Sequence, residues 1–512
     1  MAELPLLSLL IALPALGAVA LALLPAGAVG AIRWVALAAA GATFVVAVVV
    51  LAVFETGEAG FQLGEAQPWI PQWGIAYRLG VDGISLLLVL LTTLLMPLVV
   101  LAGWNQQRRT KGFFIALLAM EAAMVGVFLA LDLILFYAFF EVMLVPMYAL
   151  IGIWGGAARR YASIKFFLYT LIGGLLMLVA ILYLYWAAGA VSFNYATLQA
   201  VALSETEQLW LFAALFVAFA VKVPLFPLHT WLPDAHTEAP TVGSVILAAV
   251  LLKIGGYGFL RYSLPLFPEA TATLAPALLA LGVVGVLYGA LVAMMQRDIK
   301  RLIAYSSVSH LGFVILGAFA LNGIGAAGSV VQMVNHGLST GALFLLVGFL
   351  YDRTHSREIS AYSGLLTATP VLGGLFLVTV LSSLALPGLN GFTGEFPILL
   401  GTFQSAPWAA VLAALGVVLT AIYLLWAYQR MFHGPVTGHA QGLSDLTGRE
   451  IAVIAPLVVL MLGIGLYPEP LYERVNPSVQ RVIAEYADVE AADTAPAGPP
   501  ATGDDDAQGV GR

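Results

Sequence analysis

Residues 4–25, LPLLSLLIALPALGAVALALLP, run 22 positions without a charged side chain, and runs of this kind recur along the chain. About 20 consecutive apolar residues span the hydrocarbon core of a bilayer as one helix. The first run has no basic segment before it and is followed by further runs. It therefore reads as a first helix and not as a cleaved signal. Only 10% of the 512 residues are charged and 61% are apolar, whereas a soluble domain is roughly a quarter charged. The chain is expected to be an all-α polytopic membrane protein. It has no cysteine, which excludes disulfides, thiol chemistry and iron–sulfur ligation within it.

Parsing the runs gives about fourteen spans, at 4–24, 33–54, 83–103, 112–131, 133–153, 163–186, 208–229, 241–260, 273–295, 302–320, 326–350, 366–402, 408–430 and 450–468. The twelfth is too long for one straight helix. Pro387, Gly388, Gly391 and Gly394 within it predict two half-helices joined by unwound backbone. With the N-terminus outside, 14 of the 21 lysines and arginines fall in inward loops. Five (Arg78, Arg261, Arg474, Arg481 and Arg512) fall in outward segments, and Lys222 and Lys253 lie within spans. That split favours both termini on the outer, periplasmic side of a bacterial cytoplasmic (inner) membrane. The segment 469–512 is expected to be an acidic, disordered tail, because its end is rich in Pro, Gly, Ala and Asp. The outward loop 55–81, with GEAQPWIPQWGIAYRLG, suits the membrane interface or a short hairpin.

A second break signal lies in AFAVKVPLFPLHTWLP, where Lys222 stands beside Pro224 and Pro227. The broken spans are the seventh and the twelfth, five apart. An odd offset makes them run in opposite directions, as in inverted-topology repeats whose discontinuous helices mark a transport pathway.

Five ionisable residues stand within spans: Glu141, Lys222, Lys253, His336 and Glu395. A charge at mid-membrane costs about 3 kcal/mol on insertion scales, so the four default charges together cost on the order of 10 kcal/mol, comparable with a domain's net stability. Each has a structural alternative, such as a bond to a neighbouring helix. Acids and bases alternate among spans five, seven, eight, eleven and twelve, however, and such a set is suited to proton transfer. A carboxylate approaching a buried lysine favours its ammonium form, and withdrawal favours the neutral amine. Glu141 and Lys222 are expected to switch in this way, with Lys253 receiving the proton, His310 or His336 passing it on and Glu395 accepting it. Secondary candidates are Glu121, mid-span in LLAMEAAMVG, Lys165, whose alternative is snorkelling to the inner surface, and His229, which would orient Lys222 or a loop. Asp298 is expected to cap a helix or pair with basic neighbours.

GIGAAG (323–328) fits a dinucleotide pattern but sits between membrane helices with no preceding strand. His236 in HTE (236–238) has no cysteine to share a metal with. No Walker A sequence is present. No metal or cofactor is expected in this chain, and no nucleic acid among its partners.

FYAFFEVMLVPMYALIG, KVPLFPLHTWLPDAHTEAPTVGSVILAAVLLKIGGYG, RDIKRLIAYSSVSHLGF, VVQMVNHGLSTGALFL and LPGLNGFTGEF closely resemble the antiporter-like subunits of proton-pumping NADH:quinone oxidoreductase, respiratory complex I. The resemblance covers nearly the whole chain except its acidic end. It implies fourteen helices, with three N-terminal spans in 1–111, inverted five-helix repeats in 112–260 and 273–431, and a last helix in 432–468. It assigns Glu141, Lys222, Lys253, His310, His336 and Glu395 to proton transfer. At the position of Glu395 the family's L- and N-type members and the sodium/proton antiporter subunits typically carry lysine, whereas M-type members carry glutamate. It further implies a translocase subunit without its own redox centre, with FMN, iron–sulfur clusters and quinone held elsewhere in the complex. L- and N-type subunits and lipids are the implied neighbours. Two other functions compete: a Mrp-type cation/proton antiporter subunit, and a membrane scaffold in which the charges serve assembly alone.

Overall fold

The computed structural model describes residues 4–494. Among them, twelve helices are long and apolar enough to cross a membrane, and the architecture is all-α apart from two small two-stranded sheets. Helices α1 (Leu6–Leu23) and α2 (Val29–Val53) lead into an antiparallel hairpin, β1 (Gln62–Ile70) with β2 (Ile75–Val81). It turns at Gly74, whose φ of +64° suits glycine. Helices α3 (Gly83–Ala102) and α4 (Thr110–Leu129) follow.

The fifth span, Leu133–Trp154, is one of these twelve but is not uninterrupted. It divides into α5 (Leu133–Val142) and α6 (Leu144–Trp154), interrupted at Met143. Pro146 explains the division: it has no N–H to return to the carbonyl of Val142 four residues earlier, and its ring crowds that carbonyl. Helix α7 (Arg159–Ala187) and the short α8 (Tyr195–Gln199) come next.

Both breaks foreseen in the sequence are present. In the first, α9 (Glu205–Lys222) stops at Lys222, and α10 (Trp231–Glu238) resumes after Pro224 and Pro227. The backbone freed there finds new partners, as buried polar groups must. Trp231 Nε1 donates to the Val221 carbonyl at 2.9 Å, and Leu225 N donates to that of Ala220 at 2.8 Å.

Helix α11 (Thr241–Leu266) continues past the expected end at 260 and contains two π-helical stretches, 247–251 and 259–263. Next come α12 (Pro268–Met294), α13 (Ile299–Phe319) and α14 (Gly323–Thr354). The second break separates α15 (Pro370–Ser383) from α16 (Asn390–Ser405), ahead of α17 (Pro407–Phe432) and α18 (Gly448–Leu466).

The apolar windows of α11 and α14 are entirely enclosed and that of α13 is 94% buried, whereas α1 and α2 are 28% buried. Polar side chains therefore collect in the central helices and the outer helices face lipid with apolar side chains, so hydropathy alone does not distinguish core from surface.

Two expectations are corrected. Residues 469–494 form a helix, α19, and not a disordered tail. Val475, Val479 and Val482 recur at helical spacing and are buried. Residues 495–512, the rest of the expected tail, lie outside the described residues. Arg261, expected in an outward segment, lies within α11 with no exposed side-chain surface, ion-paired to the equally buried Asp82 that caps α3.

One local pattern occurs twice. Asp132 caps α5 by accepting from Ile134 N and Leu135 N, and Asp298 caps α13 by accepting from Lys300 N and Arg301 N. Each aspartate also bridges to the loop after the next long helix, Asp132 to Asn194 and Asp298 to Glu358.

Candidate proton-transfer site

Glu141 is the penultimate residue of α5, two residues before the interruption at Met143. It is half-buried, and its Oε1 is enclosed without a hydrogen-bond partner. A Cβ at Gly174 on α7 would fall on that oxygen, so the glycine makes room for the carboxylate. Lys222, 1% exposed, is the last residue of α9. A cation there is favoured by the partial negative charge of a helix C-terminus. Its Nζ has no hydrogen-bond partner but lies 4.7 Å from the ring centre of Phe140 and 5.8 Å from that of Phe166, a cation–π setting. Glu141 and Lys222 form no ion pair within 4 Å, although each lies in the other's field.

The second group is held by two hydrogen-bonded links on either side of a histidine pair. Lys253 Nζ, in the middle of α11, donates to the Ala248 carbonyl at 2.5 Å and lies 2.5 Å from His336 Nδ1 on α14. The His336 and His310 ring centres are 5.5 Å apart. His310 Nδ1, on α13, lies 2.8 Å from Glu395 Oε1 on α16. The Nε2 atoms of both histidines are buried without protein partners. All four residues are at most 3% exposed.

Three elements of this group have no marker as strong as a membrane charge in the sequence. Gln332 Nε2 on α14 donates to Glu395 Oε1 at 2.8 Å. Asn335 Nδ2 donates to the Asn390 carbonyl at 2.6 Å and to Thr393 Oγ1 at 3.2 Å, and Asn390 Nδ2 returns to the Asn335 carbonyl at 3.3 Å. These bonds fasten the second break to α14. From outside, the Tyr472 hydroxyl on α19 donates to the Thr393 carbonyl at 2.5 Å. The signal available was the polar stripe Gln332, Asn335, His336 and Ser339 at helical spacing on one apolar helix.

The secondary candidates are scattered. Both Glu121 carboxylate oxygens are buried and unpartnered. Lys165 binds Asp234 at 2.8 Å on a partly exposed surface. His229 does not bond Lys222; its Nε2 lies 3.3 Å from the Tyr288 hydroxyl and its ring stacks on Phe226. Asp298 caps α13 and pairs with Arg357 at 3.2 Å. A residue that sequence reading set aside is His236 on α10. It is wholly buried, stacked on Phe344 at 4.6 Å, with both ring nitrogens unpartnered and in the field of Lys300 and Lys253. Lys300 in turn lines a cavity of about 270 Å³ with Glu238 and Asp352. Among the described residues no group of three His, Asp or Glu is placed to hold a metal ion.

Residues 130–422 match the family model described as NADH:quinone oxidoreductase/Mrp antiporter, TM. The NADH-quinone oxidoreductase subunit M of Rhodobacter capsulatus is 48% identical, over 86% of this chain and 88% of that protein. The NADH-ubiquinone oxidoreductase chain 4 of Arabidopsis thaliana is 44% identical, over 93% and 97% respectively. A chain in the structure of respiratory complex I from Thermus thermophilus with bound NADH superimposes with a TM-score of 0.87 at 35% identity, covering 94% of this chain and 99% of that one. The chain belongs to the subunit M (chain 4) family of NADH-quinone oxidoreductase membrane subunits.

Proposed function

We propose that this chain is a proton-translocating module of NADH:quinone oxidoreductase in a bacterial inner membrane, driven by electron transfer in other subunits. Those subunits carry the FMN, iron–sulfur clusters and quinone. L- and N-type antiporter-like subunits are its neighbours, and its two termini lie outside. Counting each broken pair as one span gives fourteen. The paired Asp132 and Asp298 caps, with their matching bridges, support inverted repeats over 112–260 and 273–431.

The observation that carries this reading is the pair of bonded links, Lys253 to His336 and His310 to Glu395. An ammonium at Lys253 donates to His336 Nδ1. Once that nitrogen takes the proton, the ring releases its other proton from Nε2. A water between the two unpartnered Nε2 atoms delivers it to His310, whose Nδ1 proton then passes to Glu395. Buried polar atoms of this kind are normally satisfied by ordered water. Upstream, Glu141 sets whether Lys222 keeps its proton, and Glu121, Lys165 and His229 are peripheral to that step. His236, in the field of both Lys300 and Lys253, supplies protons from the inner side.

Lys253→Met in the assembled complex tests the reading in proteoliposomes, with complex assembly checked on native gels. NADH-driven proton uptake is expected to fall by about tenfold or more, the scale of losing a positioned proton-transfer group. Unchanged proton stoichiometry would overturn it, and loss confined to assembly would favour the scaffold. The Mrp-type antiporter reading draws on the family model's shared description, but Glu395 stands where those subunits carry lysine. Sodium-dependent transport without NADH would support it instead.

A further inference from the structure

The inner ends of α4, α6 and α7 frame an open cleft of about 610 Å³ lined by Arg108, Arg109, Arg159, Arg160, Tyr148 and Ser163, with Arg108, Arg109 and Arg160 exposed. None of these four arginines belongs to an ion pair among the described residues. Their recorded side-chain hydrogen bonds are those of Arg159 NH1 to the carbonyls of Gly155 and Gly156. Glu238, on the adjoining segment, accepts from the Ala158 N–H at 2.8 Å through its Oε2.

A general excess of inward basic residues accounts for positive charge on this side, but not for its placement. Arg108 and Arg109 immediately precede α4, and Arg159 and Arg160 begin α7. A helix N-terminus carries partial positive charge and disfavours cations. Two such termini, that of α7 already holding Glu238 at its Ala158 N–H, and four guanidinium groups therefore meet around one cleft, with no carboxylate ion-paired to the guanidiniums. This is a site for an anion. Below it, Tyr148, Tyr161, Ile164 and Leu168 on α6 and α7 are 40–60% exposed, with Val145 at 67%. An aromatic rim above an apolar wall suits a lipid: tyrosines at headgroup level and aliphatic side chains along the acyl chains.

We propose that this cleft binds the phosphate headgroup of an anionic phospholipid, with the acyl chains lying along α6 and α7. Basic pockets at the inner ends of membrane helices recognise such headgroups.

The intact complex is reconstituted in phosphatidylcholine nanodiscs doped with photoactivatable phosphatidylglycerol, and labelled peptides are mapped by mass spectrometry. Labelling is expected within 145–170, falling by about tenfold or more in Arg159→Gln/Arg160→Gln, given the affinity each basic residue adds near a membrane surface. Arg159→Lys/Arg160→Lys keeps the charge and is expected to retain most of the label, separating headgroup binding from misfolding. Label insensitive to the glutamine changes would overturn the proposal. So would competition by millimolar inorganic phosphate, which indicates a free-anion site. Cross-linking of these arginines to an acidic segment of a neighbouring subunit, in place of lipid, would also overturn it.

Discussion

The two halves of the ionisable series are built on different principles. In the first, Glu141 and Lys222 share a field but no hydrogen bond, and aromatic rings and a glycine surround them. In the second, Lys253, His336, His310, Glu395 and Gln332 are joined by direct bonds or ring proximity. A buried charge that lacks a bonded partner is sensitive to small displacements, because its energy changes steeply with distance at low dielectric. A bonded series is held in place and has little to gain from movement. Under the proposed function, the difference makes the first half the switch and the second the conductor.

Three substitutions sharpen or break this contrast. The largest effect is expected from Gly174→Val. A side chain there must displace the Glu141 carboxylate, and misplacement of a reacting group by about 1 Å costs up to about 100-fold. Initial proton-pumping rate in proteoliposomes reads it out, and a wild-type rate would show that the position of Glu141 is not critical. Asn335→Leu is intermediate. It removes the Asn335 amide's bonds to the Asn390 carbonyl and Thr393 hydroxyl, which keep only their bond to each other at 2.7 Å, at roughly 0.5–1.5 kcal/mol per hydrogen bond lost. Thermal denaturation of the complex and hydrogen exchange over 384–396 should report faster opening of the second break while the first is unchanged. Opening at both breaks would mean that the halves are not separately built. Phe140→Leu is the smallest. Loss of a cation–π contact of roughly 0.5–2 kcal/mol is expected to slow pumping several-fold without altering exchange around Glu395.

The sequence disclosed what is costly to place in a membrane and little of what that cost is set against. Glu141, Lys222, Lys253 and Glu395 were legible because each charge interrupts an apolar run, and both breaks because proline and glycine cluster beside them. The pairing of His310 with Glu395 was not legible as a contact, since 85 residues separate them and no local pattern encodes which helix faces which. Arg261 was misplaced for the same reason: near the end of an apolar run it looks like a surface residue, and only its distant partner Asp82 explains its burial. The interruption at Met143 was readable from Pro146, but the uniform hydropathy of the run concealed it. In α19 the acidic, proline-rich end of the sequence outweighed three valines at helical spacing.

Tyr472 gives the far end of the chain a stake in the interior. Its hydroxyl occupies a carbonyl two residues before Glu395, and it stands in the first turn of the helix Glu469–Thr494 that carries it. Shortening the protein after Leu466, or pulling on that helix through a fused label, would leave the Thr393 oxygen to seek another donor. A cut at the periphery thus reaches the acid at the heart of the machine.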